Sequence, residues 1–437
     1  MTAELDQGNM DTARCFPKQV QVEECSVERQ DFEALDAQDS LAAVRGRFLL
    51  REGLIYMDGN SLGPPCRSAH EHLNRLVDEW RDQLIAGWFQ GTDGRVDSSW
   101  GGAPTRIGNR IARLIGAKPG EVVVTDGTSV NLFKLGAAAL RARAKRHVIL
   151  TEPGDFPTDR YIVAELAQLF GMRVEQVPAE GLEGALNEEV ALVLVTHVNY
   201  RTGAIHDMER VTRAVHNVGA LMFWDLCHSV GAVPVDLDGC DVDLATGCTY
   251  KFLNGGPGSP AFVYMNERLA GKLQTPIPGW IGHADSFQFG ETYEPGPGAR
   301  QWITGTQGML GFAALEGALE VWDDVDIAAV RSKSILLGQH FIQLLDERCA
   351  GLGLEVASPR DGSQRGSHIS IRTPHAQALT RALAKHDVVA DFRPPDLIRC
   401  GLTPLYMRFA DIWDAVERIR LLLREMMPKP SGATAVS

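Results

Sequence analysis

Lys251 stands in the run Thr249-Tyr250-Lys251-Phe252-Leu253-Asn254, a single amine among aromatic and apolar residues, with Gly255, Gly256 and Gly258 just beyond it. Desolvation lowers the pKa of such an amine and frees it to condense with a carbonyl as a Schiff base. The alternative is a lysine that snorkels from a strand edge. The glycines let backbone approach a ligand closely. Upstream, Phe223-Trp224-Asp225-Leu226-Cys227-His228-Ser229 ends a strand-like run in a carboxylate, with a histidine three residues on. An acid at the C-terminal edge of an α/β sheet lies where ligands bind. Buried there, it needs a cationic partner, and a protonated pyridine nitrogen is one. The alternative is Asp225 capping the next helix while His228 fills the core. Earlier still, Asp126-Gly127-Thr128-Ser129-Val130-Asn131 follows a strand and opens a helix. Free N–H groups at a helix N-terminus suit an anion, and Thr128 and Ser129 add hydroxyl donors, unless they only cap the helix. The run lacks both the Gly-Lys-Ser/Thr of a Walker A loop and the glycine spacing of a dinucleotide fingerprint. A phosphate cup, a carboxylate for a pyridinium and an amine for an aldehyde together match the requirements of pyridoxal 5′-phosphate, an electron sink for amino-acid carbanions.

Groups so far apart in sequence meet only if an ordered sheet gathers them. Short apolar runs at 122–125, 147–151, 191–196, 221–225, 244–249 and 261–265 lack polar alternation, as strands buried on both faces do. Amphipathic stretches at 131–145, 160–170 and 208–218 lie between them. The alternation predicts an α/β fold, a three-layer sandwich around a mostly parallel sheet, with a smaller α+β domain after it. The expected division is an N-terminal arm over 1–35, a segment over 36–70 that contributes to the small domain, a large cofactor domain over 71–307, a C-terminal small domain over 308–428 and a frayed tail over 429–437. Helical text at 308–323, 330–349 and 410–427 belongs to the small domain on this reading.

The 437 residues carry 43 Lys and Arg against 56 Asp and Glu, a formal charge of −13, which disfavours nucleic acid and anionic membrane surfaces as partners. No apolar run approaches the ~20 residues that span a bilayer, and the first residues lack the charge and apolar pattern of a secretory signal. None of the eight cysteines forms a Cys-x-x-Cys pair, so they read as reduced and the protein as cytoplasmic. Metal-ligand spacing is absent: His70 and His72 stand two apart and diverge on a helix.

From about Tyr56 to Arg420 the chain resembles kynureninases, fold-type-I pyridoxal-phosphate enzymes. The texts that carry the resemblance are Tyr56-Met57-Asp58-Gly59-Asn60-Ser61-Leu62-Gly63, Phe156-Pro157-Thr158-Asp159, His197-Val198-Asn199-Tyr200-Arg201-Thr202-Gly203, Asp225-Leu226-Cys227-His228-Ser229, Tyr250-Lys251-Phe252-Leu253-Asn254 and Gly279-Trp280-Ile281-Gly282-His283. The resemblance implies that Lys251 carries the cofactor, that Asp225 pairs with its ring nitrogen with support from His228, and that Phe156 stacks on the ring. Asp159 and Thr196 would hydrogen-bond around the ring, Thr128, Ser129 and Tyr250 would hold the phosphate, and Thr306 would also bind the cofactor. Trp280 matches a tryptophan that reaches the phosphate from a neighbouring subunit, implying a homodimer with shared active sites. Arg399 matches the arginine that clamps the substrate carboxylate, a task suited to a bidentate guanidinium.

The implied reaction is hydrolytic cleavage of L-kynurenine to anthranilate and L-alanine, with Lys251 and Tyr250 as proton carriers. Trp88 and Thr306 match the bacterial pattern that prefers kynurenine, with 3-hydroxykynurenine the weaker substrate. The chain departs from the family at Ile281 and Cys227, both apolar exchanges. Competing readings are another fold-type-I enzyme, such as a cysteine desulfurase or aminotransferase, and a non-catalytic pyridoxal-phosphate sensor. A desulfurase usually has His where Tyr250 stands and needs a mobile cysteine, for which Cys349 and Cys400 are poor candidates. A sensor usually appends a DNA-binding module, and no such text is present.

Overall fold

The computed structural model describes residues 28–427. Helix α1 (Arg29–Ala37) leads through strand β1 (Ile55–Tyr56) to helices α2 (Arg67–Gln83) and α3 (Ala103–Leu114). The next strands are β2 (Val122–Val124), β3 (Val148–Thr151), β4 (Arg173–Gln176), β5 (Val190–Thr196), β6 (Leu221–Asp225), β7 (Leu244–Gly247) and β8 (Phe262–Met265). Helices α4 (Thr128–Ala142) and α5 (Pro157–Phe170), the single turn α6 (Leu182–Ala185) and α7 (Met208–Asn217) lie between them. Helices α8 (Met309–Leu319) and α9 (Ile327–Arg348) follow, then β9 (Glu355–Val356), β10 (His368–Arg372) and α10 (Ala376–Lys385). Strands β11 (Val388–Val389), β12 (Asp391–Arg393) and β13 (Leu397–Gly401) and helix α11 (Phe409–Met426) close the described chain.

The seven strands β2 to β8 form one sheet in the order β2-β8-β7-β6-β5-β3-β4. Every lateral pairing is parallel except those of β8, which runs against both β7 and β2. Helices cover both faces, so β5 (Val-Ala-Leu-Val-Leu-Val-Thr) is buried at every position, as a doubly covered parallel strand must be. Edge strand β4 (Arg-Val-Glu-Gln) is polar and partly exposed, and no apolar run announced it. The expected helices and strands otherwise fall within a few residues of the observed ones, and the sheet is the mostly parallel one expected.

The smaller unit has a four-stranded antiparallel sheet, β12-β13-β10-β9, packed with α9, α10 and α11. Strand β1 pairs with β11, which joins N-terminal chain to this unit. One expected boundary shifts. The arm expected over 1–35 gives way to helix at Arg29, because Phe32 is buried against the His340 ring at 5.3 Å. At the end of α1, Asp36 accepts hydrogen bonds from the N–H groups of Phe409 (2.6 Å) and Ala410 (3.0 Å), which satisfies the free donors that open α11. Helix α8, expected in the small domain, packs on α2 so closely that a Cβ on Gly317 would lie 2.5 Å from the Ser68 carbonyl oxygen. Its Glu316 also pairs with Arg106 of α3 at 2.7 Å, so α8 is held on α2 and α3. The arm before residue 28, with Cys15 and Cys25, and the tail over 429–437 lie outside the described residues. Among the described residues no helix is long and apolar enough to cross a membrane, and no cluster of His, Cys, Asp or Glu could hold a metal ion.

Candidate functional site

Strands β2, β5, β6 and β7 end at the same edge of the sheet, and the segments leaving them supply the chemistry. Lys251 follows β7, Asp225 closes β6, Thr196 closes β5, and Thr128 opens α4 after β2. Together with Phe156 and Asp159 they surround a cavity of ≈ 260 Å³, or adjoin it in the case of Thr196. Among the described residues the Lys251 amine has one hydrogen-bond partner, His228 Nε2, at 3.4 Å, and it lies 5.8 Å from the Tyr250 ring centre. Burial, reinforced by the charges of Lys251 and Arg399, holds the His228 pKa well below the usual histidine value, so the ring is neutral. The Tyr250 hydroxyl is pushed up, first by negative charge at Cys248 and then by burial, and keeps its proton.

Asp225 and Asp159 are both buried, and each has a carboxylate oxygen 3.4 Å from the Thr196 hydroxyl. One hydroxyl proton cannot serve both at once. The other Asp225 oxygen accepts from the Cys227 N–H at 2.8 Å. Burial first, and the Asp225 charge second, drive the Asp159 pKa well above the usual carboxylate range. Behind them Asp155, bonded to the Thr196 N–H at 3.0 Å, is pushed up to about 6 by burial. Among the described residues no basic side chain bonds Asp159 or Asp225, so the pair calls for a cation from a ligand. A protonated ring nitrogen meets that demand.

The anion cup is equally explicit. Gly127 precedes α4 in extended backbone, and no side chain caps the helix. The first N–H groups of α4 are therefore free beside the Thr128 and Ser129 hydroxyls, a standing anion site. The Asp126 carboxylate is turned away to Lys134 and Thr304. Carboxylates without a cation, an uncapped helix start and a lightly held amine in one cavity fit pyridoxal phosphate at its ring nitrogen, phosphate and aldehyde.

The same cavity holds Arg399, 1 % exposed, which donates to the Tyr200 carbonyl (3.0 Å), the Ser61 hydroxyl (2.8 Å) and the Asp391 carboxylate. Arg393 shares that carboxylate at 2.7 Å. Two guanidiniums thus lean on one acid, and the Nε groups of both are buried without a protein acceptor. Burial pushes the neighbouring Asp58 up to about 6. Asn60 and Ser61 stood in the Tyr56–Gly63 text of the resemblance but were given no role, and Asp391 and Arg393 were not singled out. For the last two the available signal was charge on β12 opposite Arg399 on β13.

Trp88, Trp280 and Thr306 are not brought to this cavity. They line a second, largely apolar one of ≈ 340 Å³ with Phe89 and Phe287. Around it Trp280 is 44 % exposed, Phe287 51 % and Phe289 75 %, an aromatic surface of the kind that marks a protein interface.

A family profile described as the kynureninase C-terminal domain matches residues 330–419. The chain is 46 % identical to a kynureninase from Burkholderia pseudomallei over 416 residues, covering 93 % of this chain and 98 % of the relative. It is 44 % identical to a kynureninase from Pseudomonas fluorescens over 416 residues, 93 % of this chain and 97 % of that one. Among solved structures, the apo cysteine desulfurase from Thermococcus onnurineus NA1 superposes with a TM-score of 0.76 at 19 % identity, over 88 % of this chain and 98 % of its own. The cysteine desulfurase CsdA from Escherichia coli gives 0.75 at 19 % identity, over 89 % and 99 %. At that identity they bear on the fold alone. Replacing Lys251 by Ala is expected to abolish the visible absorbance that the wild-type protein develops with pyridoxal phosphate. An unchanged spectrum in the variant would place the Schiff base elsewhere.

Proposed function

The chain belongs to the kynureninase family, a family of pyridoxal-phosphate-dependent hydrolases, and from that premise we propose that it cleaves L-kynurenine with water to anthranilate and L-alanine. The observation that carries the reading is a single cavity with a lightly held amine, an uncompensated carboxylate pair and an incompletely neutralised arginine pair around it. When bound, pyridoxal phosphate supplies an electron sink for the carbanion formed at the amino-acid α-carbon.

The chain's own residues supply position and proton movement. Arg399, with Ser61 beside it, binds the substrate α-carboxylate by charge-assisted hydrogen bonds and so fixes the α-carbon over the amine of Lys251. Lys251 Nζ removes the α-proton and later returns a proton to the alanine portion. Asp225 holds the ring nitrogen protonated, the state in which it accepts electrons best. Tyr250, which keeps its proton, donates at the γ-carbonyl oxygen as water adds there. Neutral His228 lies against Lys251 without adding a competing cation.

Trp88 offers a flat apolar wall with no partner poised for a ring hydroxyl, which favours kynurenine over 3-hydroxykynurenine. Trp88, Trp280 and Thr306 reach the reaction, on this reading, from the neighbouring subunit of a homodimer, and the exposed aromatic surface around them supports that assembly. A cytoplasmic location fits the unpaired cysteines. Five of the six described cysteines, Cys349 and Cys400 among them, are buried and so poorly placed for the mobile sulfur a desulfurase needs.

Incubation with L-kynurenine is expected to yield anthranilate fluorescence and one alanine per anthranilate, with kcat/KM higher than for 3-hydroxykynurenine. Absence of anthranilate would contradict the reaction, and the reverse order of kcat/KM would contradict the preference. Sedimentation is expected to give twice the mass of the chain, and a monomer with full activity would contradict the shared site.

A further inference from the structure

Asp126 immediately precedes the anion cup. Its backbone is left-handed (φ +48°), an unusual conformation for a residue with a side chain. The N-cap of α4 is Gly127, which brings no side chain to the first N–H groups, and Asp126 stands one residue before it. Its carboxylate accepts hydrogen bonds from Lys134 Nζ at 2.6 Å, the Thr304 hydroxyl at 3.0 Å and the Thr125 hydroxyl at 3.1 Å. Lys134 lies two turns along α4 with its side chain completely buried, and its amine also donates to the Trp302 carbonyl at 2.7 Å.

A buried lysine is costly where an apolar residue would pack, unless its charge has a task. Two tasks are visible. The ammonium cancels the negative charge next to the cup, and it pulls that carboxylate away from the free N–H groups. The bonds to Trp302 and Thr304 also tie the strap 302–306 to the start of α4. That strap touches the segment before Trp280, since a Cβ on Gly279 would lie 1.5 Å from the Thr304 carbonyl oxygen.

We propose that Lys134 is a positioning residue for the cofactor phosphate: by pairing with Asp126 it keeps the cup at the start of α4 open and free of negative charge. The inference rests on the reading of Thr128 and Ser129 as the phosphate cup. It assigns Lys134 no contact with substrate or cofactor.

The test measures binding by the full-length apoprotein of two probes, pyridoxal phosphate and pyridoxal, which lacks the phosphate. Lys134→Met is expected to weaken pyridoxal phosphate tenfold or more and to change pyridoxal affinity less than twofold. Adding Asp126→Asn to that variant is expected to restore pyridoxal phosphate affinity to within threefold of wild type, because no carboxylate is left to neutralise. Equal losses for both probes, or failure of the second substitution to restore binding, would overturn the proposal and leave Lys134 a packing residue. If Lys134→Met does not fold, Asp126→Asn alone decides: affinity for pyridoxal phosphate at or above wild type supports the proposal, and a tenfold loss contradicts it. Wild-type apoprotein that binds both probes equally would instead overturn the assignment of the cup.

Discussion

The structure turns on a charge imbalance at the end of β5 and β6. Asp159 and Asp225 are buried around a single hydroxyl, that of Thr196, and among the described residues no lysine, arginine or charged histidine bonds either one. Burial of like charges at such range is among the more expensive arrangements a fold can hold, and the usual remedy is protonation or a bound cation. The rise of the Asp159 pKa is the protein's own partial remedy. A protonated pyridine nitrogen is the complete one, and the Lys251 amine and the α4 cup are placed where the rest of the same ligand would reach.

Topology explains why so few residues suffice. Because β5, β6 and β7 are parallel, their C-terminal ends share one edge. Antiparallel β8 lets the chain return beside β2. The acid, the amine and the cup therefore converge without any long loop having to find its place, as the rule for ligand sites at the carboxyl edge of α/β sheets requires. The smaller unit contributes the opposite wall. Arg399 and Asp391 project from neighbouring strands of its antiparallel sheet, so the ladder between β12 and β13 fixes their pairing.

Much of this was legible in the sequence. Strands buried on both faces announce themselves as unbroken apolar runs, and the residue that ends such a run, Asp225 or Thr196, is automatically at the ligand edge. Edge strand β4 was not legible, because Arg-Val-Glu-Gln has no apolar run to show. Helix α1 was missed for a related reason: its stability comes from Phe32 and Asp36 meeting α9 and α11, about three hundred residues or more away, and local text does not carry such contacts. Lys134 looks like any lysine of an amphipathic helix until its carboxylate partner is seen. Trp88, Trp280 and Thr306 could be matched by resemblance, yet the single chain sets them on a second cavity.

The central claim, that the buried acids exist to hold a cation supplied by the cofactor, is open to direct observation. Nitrogen NMR of pyridoxal phosphate labelled at the ring nitrogen and bound to the protein reports its protonation. The account predicts a protonated ring nitrogen at neutral pH and above, with that proton lost when Asp225 is replaced by Ala. An unprotonated nitrogen in the wild-type protein at neutral pH would contradict it.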